Sequence, residues 1–156
     1  MKLRHLFFAC SGVFVMMFSM LLLVVIVFSD EEDGGSGGNL IYGGVSVSQE
    51  VLAHKLMLEK YAREYGIEEY LNVLLAIIQV ESGGTLEDVM QSSESLGLPP
   101  NSLSAEESIK QGCKYFSELL AAAETKSCDL NSVIQSYNYG GGFLDYVAKN
   151  GKKYSF

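Results

Sequence analysis

The chain has 156 residues, enough for one modest folded domain, and its 19 Asp and Glu against 11 Lys and Arg leave a net charge of −8. That balance repels a phosphate backbone and argues against nucleic acid as a partner. The two histidines, His5 and His54, are too few to hold a zinc ion, so no metal site is expected.

From the N-terminus, Leu6 to Phe28 is an uncharged, apolar run of 23 residues. As a helix it crosses a bilayer core of roughly 30 Å. Lys2 and Arg4 precede it, and Asp30, Glu31, Glu32 and Asp33 follow. The positive-inside rule therefore places the N-terminus in the cytoplasm and the rest of the chain outside the cell membrane. A cleaved signal peptide is the rival reading, but the run exceeds a usual h-region and no small-x-small site closes it. Cys10 has too little hydrophobic sequence before it for lipid attachment and reads as part of the span. Gly34-Gly35-Ser36-Gly37-Gly38 makes a flexible tether with a reach of about 25 Å. The expected organisation is a cytoplasmic N-terminus and transmembrane anchor over 1–29, an acidic and Gly/Ser-rich tether over 30–47, and a folded domain over 48–156.

Ser46-Val47-Ser48-Gln49 predicts a helix start with Ser46 as cap. The helix runs to about Tyr65, with Val51, Leu52, Leu56, Leu58, Tyr61 and Ala62 as its apolar positions and Gly66 as its stop. His54 within it is structural or exposed. Leu40 to Val47 alternates only weakly, and no strand is expected there.

The next helix, from about Glu68 to Glu81, is apolar on nearly every side and belongs in the interior. Glu81 breaks that pattern, on the same stripe as Leu74, Ile77 and Ile78. Poor solvation and the negative end of the helix macrodipole would both raise its pKa, which suits a general acid. The plainer alternative is a solvated helix end. Ser82 follows, and Gly83 and Gly84 end the helix through the left-handed backbone open to glycine.

Thr85 to Ser95 has helical spacing in Leu86, Val89 and Met90. It then turns polar in Gln91-Ser92-Ser93-Glu94-Ser95, which either lines a cleft for a hydroxyl-rich ligand or forms an ordinary loop. Ser104 and Glu107 make a capping box for an amphipathic helix to about Glu124, with Ile109, Cys113, Phe116, Leu119, Leu120 and Ala123 inward. Asp129 caps a helix from Leu130 to about Tyr139, Gly140-Gly141-Gly142 breaks it, and a short helix from Phe143 to Lys149 follows. The fold class is all-α. Cys113 and Cys128 are spaced so that a disulfide is permitted but not demanded. A cysteine nucleophile would want a histidine partner, and His54 is the only one outside the membrane.

Three stretches together resemble the signatures of the lysozyme-like soluble lytic transglycosylase superfamily: Ala76 to Gly84, Asp88 to Ser95, and Ser136-Tyr137-Asn138-Tyr139-Gly140. The likeness is closer to the CwlT-type lysozyme domain of cell-wall hydrolases from Gram-positive conjugative elements, and it covers about Gln49 to the C-terminus. Asp-Val-Met-Gln replaces the Gly-Leu-Met-Gln of soluble transglycosylases, as in the CwlT branch. Members often carry an NlpC/P60 endopeptidase after this domain; the present chain fits a single-domain form, a truncated product or a fragment.

The resemblance implies a lysozyme-like domain that cleaves the β-1,4 bond between N-acetylmuramic acid and N-acetylglucosamine in peptidoglycan glycan strands, without a cofactor. By resemblance Glu81 is the catalytic acid, and Ser82, Met90, Gln91, Ser92, Ser93, Glu94, Tyr137 and Asn138 shape the sugar cleft. Tyr137 would bond to Glu81 or to an N-acetyl group. Attack by water makes the enzyme a muramidase, and attack by the muramic 6-hydroxyl makes it a lytic transglycosylase. Glu87, Asp88, Glu94 and Asp145 are candidates for a second carboxylate, Glu94 foremost, with solvated surface charge as the default for all four. A glycan-binding module without hydrolysis and a scaffold of a secretion or conjugation complex are the non-enzymatic alternatives. Any link to conjugation machinery rests on family analogy alone.

Overall fold

The structure is a computed structural model and describes residues 40–42 and 44–154. The span expected over Leu6 to Phe28, Cys10, the acidic cluster and the glycine tether lie outside the described residues. Among those described, no helix is long and apolar enough to cross a membrane.

The folded region opens with a small antiparallel hairpin, β1 (Leu40–Tyr42) and β2 (Val45–Val47), in which Leu40 faces Val47 and Tyr42 faces Val45. This corrects the expectation of no strand. Val45 and Val47 are buried on either side of a half-buried Ser46, so three residues do carry a period of two. The run is too short to register in the sequence, and it is held by packing of β2 against the central helix.

Two helices replace the single one expected next: α1 (Gln49–Ala53) and α2 (Lys55–Glu64). The cap is Ser48, whose hydroxyl accepts from the Val51 N–H at 3.3 Å, because Ser46 is already committed to β2. The break falls at His54, whose ring Nε2 lies 3.0 Å from the Gly84 carbonyl. Ser48 adds two more ties to the same region, its N–H donating to Gln79 Oε1 at 2.7 Å and its hydroxyl to the Gly83 carbonyl at 3.1 Å. Leu56, expected inside, is 80% exposed once the helix is broken.

This corner presses directly on Gly84. A Cβ there would sit 2.6 Å from both Glu50 C and Val51 N, and the residue has φ +77. Gly84→Ala is therefore expected to cost more than about 1 kcal/mol from the backbone conformation alone, with the clash adding to it. The check is a lowered urea midpoint with an unchanged m-value.

A 3-10 turn (Glu68–Tyr70) leads into α3 (Leu71–Glu81), in which Leu74 to Ile78 are all buried, as an all-round apolar helix requires. After a loop comes α4 (Ala105–Lys126), started by the capping box of Ser104 and Glu107. Next are α5 (Leu130–Tyr139), capped by Asp129, and α6 (Gly142–Lys149). The long helix α4 backs onto α2, α5 and α6, and Phe116 within it meets Tyr70 and Tyr137. The result is a mostly helical domain.

The helical spacing in Leu86, Val89 and Met90 does not produce a helix. Only a 3-10 turn, Ser92–Leu96, forms there, and Leu86 is 43% exposed. Side-chain hydrogen bonds to Asp88 take the place of helical ones, as described below. Cys113 and Cys128 are free thiols. Burial pushes the Cys113 pKa up to about 12, which keeps it protonated and unreactive at neutral pH.

Candidate active site

Glu81 is the last residue of α3, with a largely buried side chain. Its pKa is raised to about 7, first by burial, then by the negative charges of Glu94 and Asp88. The direction expected from the sequence holds, with burial as the largest cause and two carboxylates adding to it. A carboxyl group near neutrality holds its proton for much of the time and can still release it.

The loop that follows is held together by its own side chains. The Ser82 hydroxyl donates to the Val89 carbonyl at 2.7 Å and accepts from the Gly84 N–H at 3.0 Å, joining both ends of the loop. Asp88 is fully buried. Its Oδ1 accepts from the Ser92 N–H at 2.9 Å and from the Ser108 hydroxyl at 2.5 Å, and its Oδ2 accepts from the Ser93 N–H at 3.1 Å. Burial raises the pKa of this group. Hydrogen bonds from Ser108, Ser93 and Ser92 more than offset that and hold the carboxyl below its ordinary value. Asp88 is thus neither solvated surface charge nor a free second acid, but the buried anion around which the turn is wound.

Gln91 pays for that winding with a left-handed backbone, φ 47. One of its side-chain N–H groups donates to the Asp88 carbonyl at 2.8 Å. The side chains of Met90, Ser92 and Ser93 are buried, and the Ser92 hydroxyl donates to the Ser108 carbonyl at 2.9 Å. Several polar residues expected to face a ligand therefore face inward.

From α5, Tyr137 reaches across and donates its hydroxyl to the Met90 carbonyl at 3.1 Å. Its pKa is pushed well up by burial and then by Glu81, which lies close enough to act on it. Of the two partners offered for Tyr137, Glu81 and an N-acetyl group, Glu81 does not receive this hydrogen bond, which instead links two of the three sequence stretches. Gln91, Ser92, Glu94, Tyr137 and Asn138 then share the walls of a groove of ≈ 270 Å³. Glu81 is not one of those walls, but its carboxyl feels the charge of Glu94 and itself acts on Tyr137, and both of those line the groove.

Tyr115, Ser95, Tyr139 and Gly140 complete the walls; Ser95, Tyr139 and Gly140 fall within the stretches read from the sequence but were given no individual role, and Tyr115 was not singled out. Tyr115 packs on Tyr137 with ring centroids 5.5 Å apart. Gly112 was missed as well: a Cβ there would lie 2.5 Å from Met90 Sδ and 2.9 Å from the Tyr137 hydroxyl. A glycine inside an amphipathic helix gives no local hint of that role.

Of the other carboxylates considered, Glu94 is exposed at the groove and Glu87 is exposed in the loop. Asp145 is paired with Lys126 at 3.4 Å on α6. Among the described residues no cluster of His, Cys, Asp or Glu is arranged to hold a metal. A larger hollow of ≈ 500 Å³ has Tyr70, Leu120, Cys128 and Val133 among its walls.

A family model described as lysozyme-like matches residues 48–156. The chain is 44% identical over 115 residues to the bifunctional muramidase/DL-endopeptidase CwlT of Bacillus subtilis (strain 168), covering 73% of this chain and 34% of that one. It is 38% identical over 106 residues to the uncharacterized membrane protein YocA of the same strain, covering 67% and 47%. A crystal structure of a protein described as similar to lipoprotein, NLP/P60 family, from Staphylococcus aureus subsp. aureus Mu50 superposes with a TM-score of 0.69 at 73% identity. That match covers 70% of this chain and 37% of the other. The chain thus spans about a third to a half of the length of the curated relatives it matches.

Proposed function

The chain belongs to the lysozyme-like family, as a domain of the CwlT type, and from that premise we propose that it is a glycosidase of peptidoglycan, a muramidase with Glu81 as general acid. The observation that carries this reading is an acid with a pKa of about 7 whose charge interacts with Glu94 and Tyr137, two walls of a groove formed by the Gln91 turn and the end of α5. Glu81 protonates the oxygen between N-acetylmuramic acid and N-acetylglucosamine, and the C–O bond breaks with oxocarbenium character on the muramic ring. The carboxylate left behind then takes a proton from the attacking nucleophile. Water gives a reducing end, and the muramic 6-hydroxyl gives an anhydro end.

Gln91 and Asn138 offer donors and acceptors to sugar substituents at the groove. Ser82, Met90, Ser92, Ser93 and Tyr137 act one step back, by holding the turn that presents Gln91 and Glu94. Glu94 is the carboxylate placed to face positive charge developing in the groove, and its own charge helps keep the proton on Glu81. Anchorage by Leu6 to Phe28, with the domain outside the cell, is part of the proposal. It is supported by the charge pattern around that run and by the description of YocA as a membrane protein.

The test is digestion of purified peptidoglycan by the full chain in detergent, followed by mass spectrometry of the fragments. Reducing ends are expected; anhydro ends, one water lighter, would make it a transglycosylase, and no release at all would remove the glycosidase reading. Because only protonated Glu81 can act as the acid, the rate is expected to fall as pH rises through about 7.

A further inference from the structure

Aromatic side chains continue past the groove at its α5 end. Tyr139 is a wall of the groove and is 47% exposed, and its ring lies 5.3 Å from that of Phe143 at an interplanar angle of 36°. Phe143 in turn lies 6.1 Å from Tyr146 at 28°, nearly parallel, and 6.2 Å from Tyr154 at 56°. Tyr146 is 62% exposed. None of these four rings belongs to the hydrophobic core. A hollow of ≈ 200 Å³ lies on Phe143, Tyr146 and Tyr154, with Asn150 and Lys153 among its other walls. The Tyr154 backbone N–H donates to Asp129 Oδ1 at 3.3 Å, so the carboxylate that caps α5 also holds the tail against this cluster.

We propose that Tyr139, Phe143 and Tyr146 form an aromatic platform that carries a glycan strand beyond the groove, with sugar rings stacked on the aromatic faces. A pyranose is apolar on its C–H face and polar at its edge. Exposed rings suit the face, and Asn150 and Lys153 suit the edge. Tyr139 is shared between the groove and the ring cluster, which makes the two surfaces continuous. A membrane surface also takes up exposed tyrosines beside lysines, but continuity with the groove through Tyr139 favours the glycan strand. The platform rests on the reading of the groove as a glycan site.

The experiment uses the full chain carrying Glu81→Gln, so that strands are bound and not cut, with peptide-free alternating GlcNAc–MurNAc strands of increasing length titrated by calorimetry. Affinity is expected to rise with strand length. Adding Tyr146→Ala is expected to weaken the long strands roughly three- to tenfold and leave the shortest unchanged, while Tyr146→Phe restores the long-strand affinity. Because Tyr146 is exposed, its loss does not threaten the fold. Long strands bound equally well by the Tyr146→Ala form would overturn the platform, as would pelleting with phosphatidylglycerol vesicles that depends on Tyr146 while glycan binding does not. If the chain with Glu81 intact still digests peptidoglycan in those cases, only the platform falls. If no strand binds and nothing is digested, the glycan reading of the groove falls with it.

Discussion

Glu81→Gln is expected to lower peptidoglycan cleavage by about 10²- to 10⁴-fold and, above pH 7, to make the protein more stable. The two effects have one cause. In the unfolded chain the carboxyl has an ordinary pKa of 4.5, whereas in the folded chain it is about 7. Between those values the folded state holds a proton that the unfolded state has released, so stability falls as pH rises across that window. Above it the full penalty remains, up to about 3 kcal/mol for a shift of this size. Glutamine has nothing to ionise and removes the penalty.

Urea denaturation should therefore separate the two forms above pH 7 and bring them together below pH 4.5, where both states of the parent are protonated. A variant that keeps its activity would take Glu81 out of the reaction. One that loses activity with no gain in stability at high pH would mean that the carboxyl titrates normally, and the case for a poised acid would fail.

Asp88→Ala is the second large effect, and its sign is opposite. The buried carboxylate accepts from two backbone N–H groups and one hydroxyl. Alanine leaves those donors dry and without an acceptor, at about 3 kcal/mol or more in total. Activity should fall too, because Ser92 and Ser93 are the first residues of the turn that carries Glu94, and Gln91 is bonded to the same segment.

The folded pKa of Asp88 lies below its unfolded value of 3.8. Its contribution to stability is therefore present above that value and is lost as pH falls through the folded one. The loss of stability at acid pH should be smaller in the Asp88→Ala form than in the parent, the remainder coming from other carboxylates such as Asp129. Equal urea midpoints for the two at neutral pH would sink the assignment of Asp88 as the anchor of the turn.

Glu81 and Asp88 also mark how far the sequence could be read. Glu81 stood out because a carboxylate on an apolar stripe contradicts its neighbours three and four residues away, all within one helix. Asp88 sat among polar residues in a loop and looked like any other acid. Its meaning lies with Ser108, twenty positions on and in another helix. The same distance hides Gly112, which makes room for Met90 and Tyr137, and Tyr115, which packs on Tyr137. The hydroxyls of Ser82 and Tyr137, expected at the sugar cleft, are taken by backbone carbonyls, and only geometry decides where an oxygen with several possible partners will bond.

What the amino-acid order settled by itself is local. The interior character of α3, the capping boxes and caps at Ser104 and Asp129, the glycine stops, and the presence of an acid where α3 ends all depend on groups within one or two helical turns of each other. The folded structure alone decided the hairpin, the break at His54, the buried anion under the Gln91 turn and the carboxylates that act on Glu81. Each of those arises from groups far apart in the chain, and burial, which sets the strength of every charge and hydrogen bond among them, exists only after the helices have packed.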